Sequence, residues 1–113
     1  YEGAYAYTNA SLNEGFGLPG VEAMQFGLPL LVSNTEVFNE VYDTAAIYFD
    51  ADSPNDITEK MHLVARDKQF YEQLQQKSLE RGTHFSWEKA AKETLALYRK
   101  VLNPEPTLEA VPE

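Results

Sequence analysis

The feature that most restricts what this chain can fold into is a change of pattern between Ala4 and Val32. Ala4-Tyr5-Ala6-Tyr7-Thr8 is small and aromatic, which suits a short strand. Asn9 to Gly20 (N-A-S-L-N-E-G-F-G-L-P-G) is a polar, glycine-rich connection. Pro19 suits the first position of a helix, because the N–H it lacks has no partner within the helix anyway, and Val21 to Phe26 continues that helix. Gly27 followed by Pro29 stops it. Leu28 to Val32 (L-P-L-L-V) is a continuous apolar run, the pattern of a strand covered on both faces. Strand, loop, helix and strand within about 30 residues form a βαβ unit, whose two strands are parallel. Ala46 to Phe49 reads as one more short buried strand, so the fold class is α/β.

The second half is helical. Ser53-Pro54 caps a helix with Ile57, Met61 and Val64 on one face. A second helix is predicted from near Asp67 to Gly82, carrying Phe70, Leu74 and Leu79. A third runs from Ser86 to about Leu102, with Trp87, Ala90, Ala91, Thr94, Leu95, Tyr98 and Val101 at helical spacing. Its apolar face is expected to pack on the sheet. Residues 103–113 are rich in Pro and Glu without a period and read as a flexible tail, leaving 1–102 as the folded part.

Composition narrows the partners. The chain has 113 residues, of which 43% are apolar and 24% charged, ordinary values for a globular domain. Eighteen acidic against nine basic side chains give a formal charge of −9, which repels nucleic acid and anionic lipid. A small phosphate-bearing molecule remains open, since helix-start amides bind anions without net basic charge. There is no cysteine, hence no disulfide and no thiolate chemistry. No apolar run approaches the roughly 20 residues that cross a bilayer, so direct membrane insertion is not expected. The chain opens on Tyr1, a few residues before a strand, as expected of a piece of a longer protein.

Ligands of open parallel sheets bind beyond the carboxyl ends of the strands. The loop after the first strand carries the informative residues. Between Gly15 and Gly20 there is no Ser, Thr, Asp or Asn to cap the helix, and Gly15 and Gly17 hold no approaching group away. Uncapped donors at the positive end of a helix dipole are either an anion site or are satisfied by water or a local bond. Glu14 precedes the loop and Glu22 is expected on the first turn of the helix. Each is either a solvated or dipole-compensating charge, or an acceptor for the hydroxyls of a sugar. Gly15-Phe16-Gly17-Leu18-Pro19-Gly20 also satisfies G-x-G-x-x-G, with Glu36 about 20 residues further on, the spacing of a dinucleotide fingerprint. Against that fingerprint, Asn9 to Glu14 separate the strand from the first glycine, Pro19 precedes the third, and the helix has room for about two turns.

The segment Ser11 to Ser33 (S-L-N-E-G-F-G-L-P-G-V-E-A-M-Q-F-G-L-P-L-L-V-S) resembles the signature of retaining GT-B glycosyltransferases, in particular glycosyltransferase family 4. That family has two Glu separated by seven residues around a Gly-Phe-Gly loop, then Ala-Met and Gly-x-Pro before a buried strand. Asn39-Glu40-Val41, the Ala45 to Phe49 strand, Asp50 to Pro54 and Phe85-Ser86-Trp87 follow in the family's order. Asn39 stands where the family commonly has Pro, and Asn34-Thr35-Glu36 replaces a glycine-rich turn. The resemblance implies a Rossmann-like parallel sheet with flanking helices, the distal part of a C-terminal donor-binding domain. It implies a nucleotide-diphosphate sugar as donor and no metal or other cofactor.

By the same resemblance the donor-binding residues are Glu14, Gly15, Phe16, Gly17, Leu18 and Glu22. Glu14, the candidate catalytic residue, would contact the transferred sugar in a positioning and electrostatic role, not as a covalent nucleophile. The amides of Phe16, Gly17 and Leu18 would approach the sugar and diphosphate, and Glu22 would hold the ribose hydroxyls. The glycan or lipid-linked acceptor would meet an N-terminal domain outside this chain, and the chain alone is expected to be inactive. The last helix would cross toward that domain, leaving part of its apolar face exposed. A cytoplasmic location is expected, with membrane association of the parent left open. Two other readings stay open: a non-catalytic nucleotide- or dinucleotide-binding module, and an interaction domain that uses the helical half. His62 and His84 have no second ligand at metal-binding spacing and read as ordinary side chains.

Overall fold

The computed structural model describes residues 1–103; the rest of the expected tail, 104–113, lies outside them. In chain order the elements are β1 (Tyr7–Asn9), α1 (Leu18–Gln25), β2 (Leu30–Ser33), α2 (Glu36–Tyr42), a 3₁₀ turn (Asp43–Ala45), β3 (Ala46–Phe49), α3 (Pro54–Arg66), α4 (Lys68–Gly82) and α5 (Trp87–Leu102). The strands form one parallel sheet in the order β1-β2-β3, with Tyr7 opposite Leu30 and Leu30 opposite Ala46. The α/β reading and the βαβ unit hold.

Both β1 and β2 start later than the apolar pattern suggests, and one motif explains it. At the end of α1, Gly27 takes a φ of 70°. Its N–H donates to the Met24 carbonyl at 3.0 Å, and the Leu28 N–H donates to Ala23 at 3.2 Å. This is a Schellman closure, with the glycine in the left-handed conformation that other residues avoid. It consumes the Leu28 donor, and Pro29 has none. Pairing therefore begins at Leu30, and on β1 at Tyr7, whose N–H donates to the Pro29 carbonyl at 2.9 Å. Ala4 is drawn into a turn instead, bonded to the Tyr1 carbonyl at 3.0 Å.

Strand alternation sorts the core into two layers. Leu30, Val32 and Ala46 face α1 and α2, packing with Met24, Phe38 and Tyr42. Leu31 and Phe49 face the opposite side, with Val64 of α3 and Leu74 of α4. The sequence reading assigns no element between β2 and β3, yet α2 lies there. Thr35 caps it, its Oγ1 accepting the Phe38 N–H at 3.2 Å. Seven residues are too few for a helical period to stand out from the apolar strands on either side.

The later helices start at the expected caps. Ser53 accepts from Asp56, Asp67 from Phe70 and Ser86 from Lys89, each through a side-chain oxygen at 2.9–3.1 Å. Helix α4 ties the layers together. Buried Ser78 donates to the Leu28 carbonyl at 2.6 Å, and Arg81 donates to the Val41 and Glu40 carbonyls at 2.9 and 3.1 Å, satisfying the end of α2. At Gly82 a Cβ would press on Met24, so α1 and α4 approach closely there.

Helix α5 corrects one expectation. Its predicted apolar stripe does not pack on the sheet; none of its residues is buried, and Trp87 is 74% exposed. The face is amphipathic as read, but among the described residues nothing covers it.

Candidate functional site

The carboxyl ends of β1 and β2 are pinned before the loop departs. Ser33 Oγ donates to the Asn9 carbonyl at 3.3 Å. Asn9 uses its side chain twice, with Oδ1 accepting the Ser11 N–H at 2.8 Å and Nδ2 donating to the Tyr7 hydroxyl at 3.1 Å. The first residues of the loop are thereby turned back over the strand end, and Glu14 to Gly17 lead into α1.

Gly17 is the N-cap of α1 and adopts φ 95°, ψ 43°, with no side-chain cap, as the loop composition implies. Its carbonyl accepts three bonds: from the Gly20 N–H at 3.1 Å, the Val21 N–H at 3.3 Å and the Tyr42 hydroxyl at 2.7 Å. A Cβ on either Gly17 or Gly20 would fall on that hydroxyl. Glycine is required at both positions, by conformation and contact at the first and by contact at the second. Gly15 differs: a Cβ there meets nothing within 4 Å, so packing does not demand a glycine.

The helix start therefore has fewer free donors than an uncapped terminus would offer. Beyond the ordinary first helical bond from Val21, the Gly20 donor is also used by Gly17, and Pro19 has none. The amides of Gly15, Phe16, Gly17 and Leu18 find no acceptor among the described residues. They are successive N–H groups at the positive end of α1, of which Gly15, Phe16 and Leu18 are exposed and Gly17 is buried. An anion is the chemical complement of that arrangement.

Glu22 lies in the second turn of α1, not the first, which contains no acidic residue. It is exposed, and its Oε2 accepts from the Tyr1 hydroxyl at 3.0 Å. That bond and the neighbouring charge raise the Tyr1 phenol above its ordinary value. The carboxylate is thus seen accepting a hydroxyl, the interaction a diol would make with it. Glu14 is half-buried near Tyr42. Burial pushes the Tyr42 phenol well above the usual tyrosine range, and the charges of Tyr7 and Glu14 push it further.

A groove of about 580 Å³ opens between α1 and the start of α5. Phe16, Leu18 and Glu22 line one wall, and Phe85 and Trp87 the other. Phe16 meets Phe85 edge-on at 5.9 Å, with the Arg81 guanidinium over the Phe85 ring at 5.3 Å. Of the six sequence-predicted residues, Phe16, Leu18 and Glu22 share this groove. Glu14, Gly15 and Gly17 are not part of its lining. His84 lines the far wall, while His62 is exposed on α3. Sequence reasoning missed Tyr42 altogether. The signal available was the cap at Thr35 with apolar residues at Val37, Phe38, Val41 and Tyr42, a short helix brought against the loop.

Known proteins similar to this chain identify its family. Residues 1–81 match the family model described as glycosyl transferases group 1. The O-antigen chain mannosyltransferase RfbU of Salmonella typhimurium is 44% identical over 52 residues, 46% of this chain and 15% of that protein. The serotype-specific mannosyltransferase WbdA of Escherichia coli is 32% identical over 100 residues, 88% of this chain and 12% of that protein. A D-inositol 3-phosphate glycosyltransferase of a Nocardioides species is 30% identical over 92 residues, 80% of this chain and 20% of that protein. The chain thus spans at most a fifth of the length of these three relatives. With its parallel α/β sheet and a family match over most of its length, the chain belongs to the glycosyl transferases group 1 family.

Proposed function

We propose that this chain supplies the donor site of a retaining, metal-independent glycosyltransferase that uses a nucleotide-diphosphate sugar. The observation that carries the reading is the run of unpaired amides from Gly15 to Leu18 at the start of α1. In the proposed reaction the bond between the sugar's anomeric carbon and the diphosphate breaks. A new bond forms to an acceptor hydroxyl, whose proton passes to an oxygen of the departing diphosphate. Negative charge grows on the departing diphosphate, and fixed amide donors at a helix N-terminus stabilise charge where it develops. Glu14 orients the transferred sugar, and Glu22 accepts from the ribose hydroxyls.

Two of the relatives are named mannosyltransferases and one a glycosyltransferase of D-inositol 3-phosphate. A hexose donor, mannose first, and a glycan, lipid-linked or small hydroxylic acceptor are therefore proposed for the whole protein, in polysaccharide assembly. Among the described residues no helix is long and apolar enough to cross a membrane. Nucleotide sugars place the proposed reaction in the cytoplasm.

The division of labour between the two carboxylates is the test. Glu22→Ala is expected to weaken plain nucleotide and nucleotide sugar alike, by about tenfold or more for a lost hydrogen bond to a charged group. Glu14→Ala is expected to weaken only the sugar-bearing ligand. Equal loss of plain nucleotide in both variants, read by calorimetric titration with nucleoside diphosphate and its mannosyl derivative, contradicts the assignment.

A further inference from the structure

Resting on the donor-site reading, we infer that Tyr42 is a positioning residue, aiming the Leu18 amide at the ligand by holding the carbonyl of the same peptide group. In a trans peptide the C=O and N–H point in opposite directions. The Gly17 carbonyl is turned towards the Tyr42 hydroxyl, so the Leu18 N–H of that peptide plane points away from Tyr42. It is one of the amides without a protein acceptor. Of the three bonds to this carbonyl, the phenol's is the shortest, at 2.7 Å against 3.1 and 3.3 Å for the helix amides.

The phenol is itself fixed. Tyr42 is the last residue of α2, fully buried, with its ring stacked on Phe38 at 5.3 Å and 23° between planes. Its hydroxyl fills the space that side chains at Gly17 and Gly20 would occupy. The tyrosine and the two glycines are complementary parts of one lock. The raised phenol keeps its proton, and so remains a donor, throughout neutral and moderately alkaline solution. An element that touches no ligand thus sets the direction of a ligand-facing amide, joining the end of α2 to the start of α1. Ring packing alone would need only a phenylalanine.

Tyr42→Phe separates the two roles, because it keeps the ring and removes the bond. In the 113-residue chain, titrated with GDP and UDP by amide NMR, the variant is expected to keep its peak dispersion. The bound nucleotide should dissociate about five- to tenfold more readily than from the unaltered chain, the effect of one aligned hydrogen bond. The free Leu18 amide resonance should also move. A lower unfolding midpoint with unchanged nucleotide affinity overturns the positioning role and leaves a packing one. If the unaltered chain binds neither nucleotide, the donor-site reading fails and the inference with it, a result distinct from normal binding by the variant. Should Tyr42→Phe not fold, the unaltered chain decides through the buried Tyr42 hydroxyl proton. Its resonance must shift when the Leu18 amide takes up nucleotide, since bonds through one peptide group polarise each other. A hydroxyl proton that stays put while Leu18 moves overturns the inference.

Discussion

Gly15 and Gly17 look alike in the sequence and are there for different physical reasons. Gly17 holds a left-handed backbone under a phenol, whereas Gly15 has open space around it. Gly17→Ala is therefore expected to destabilise the chain by about 2 kcal/mol or more, combining the left-handed penalty with the displacement of Tyr42. Gly15→Ala should leave stability within roughly 0.5 kcal/mol, as for substitutions away from any packing contact. Urea unfolding of both variants checks the contrast. Asp43, next to Tyr42, is the other strained residue. It is non-glycine at φ 50°, ψ −127°, held by the Tyr48 hydroxyl on its carbonyl at 2.6 Å. Such a conformation costs on the order of 1–3 kcal/mol, so Asp43→Gly should raise stability by about 1 kcal/mol after glycine's own entropy cost. A lower unfolding midpoint would show that the Asp43 side chain contributes more than its backbone loses. The glycine loop and its two flanking carboxylates stand out in the sequence as a chemical pattern, and the roles given to them rest on the family resemblance. Tyr42 was not, because its role exists only through a contact 25 residues away in sequence.

The three later helices, each bounded by a side-chain cap, were legible almost to the residue. Ser53, Asp67 and Ser86 start α3, α4 and α5 because each bonds an N–H within its own first turn, a local event that sequence spacing records. The starts of β1 and β2 were displaced because they depend on which donors remain after the Schellman closure and Pro29, whereas β3 runs from Ala46 as read. Helix α2 was missed for its length. Its end rests on long-range support, the Arg81 guanidinium on the Val41 and Glu40 carbonyls and the Tyr48 hydroxyl on Phe38 and Asp43. Burial pushes the Tyr48 phenol up to about 12 from 10.0, with Asp43 adding to it. A raised phenol contributes stability that is fully present below pH 10 and lost as pH rises towards 12. Tyr42 acts in the same direction. Stability measured across that range should therefore fall less steeply in Tyr48→Phe than in the unaltered chain, and an equal slope would assign the loss to other groups.

At the scale of the whole molecule, the sheet and its two helical layers form the body, and α5 stands apart from it. The family match ends at residue 81, before the segment that leads into α5. A helix of 16 residues with no buried side chain draws little stability from the body and is marginal by itself. Its amides should exchange hydrogen far faster than those of β2, where Leu30 to Val32 are fully or almost fully buried. Protection of α5 equal to that of β2 would mean that something in solution covers its apolar stripe. The amphipathic pattern predicted a helix correctly and its packing wrongly, since a stripe records that a face is apolar and not what lies against it. The central claim concerns the loop in front of α1, and amide NMR tests it most directly. With GDP, UDP and NAD added separately to the folded chain, the account predicts that Gly15, Phe16, Gly17, Leu18 and Glu22 shift with GDP or UDP and not with NAD. Shifts with NAD alone would replace the glycosyltransferase donor site with a dinucleotide site. An unmoved loop at saturating nucleoside diphosphate would contradict the claim that these amides are a phosphate site at all.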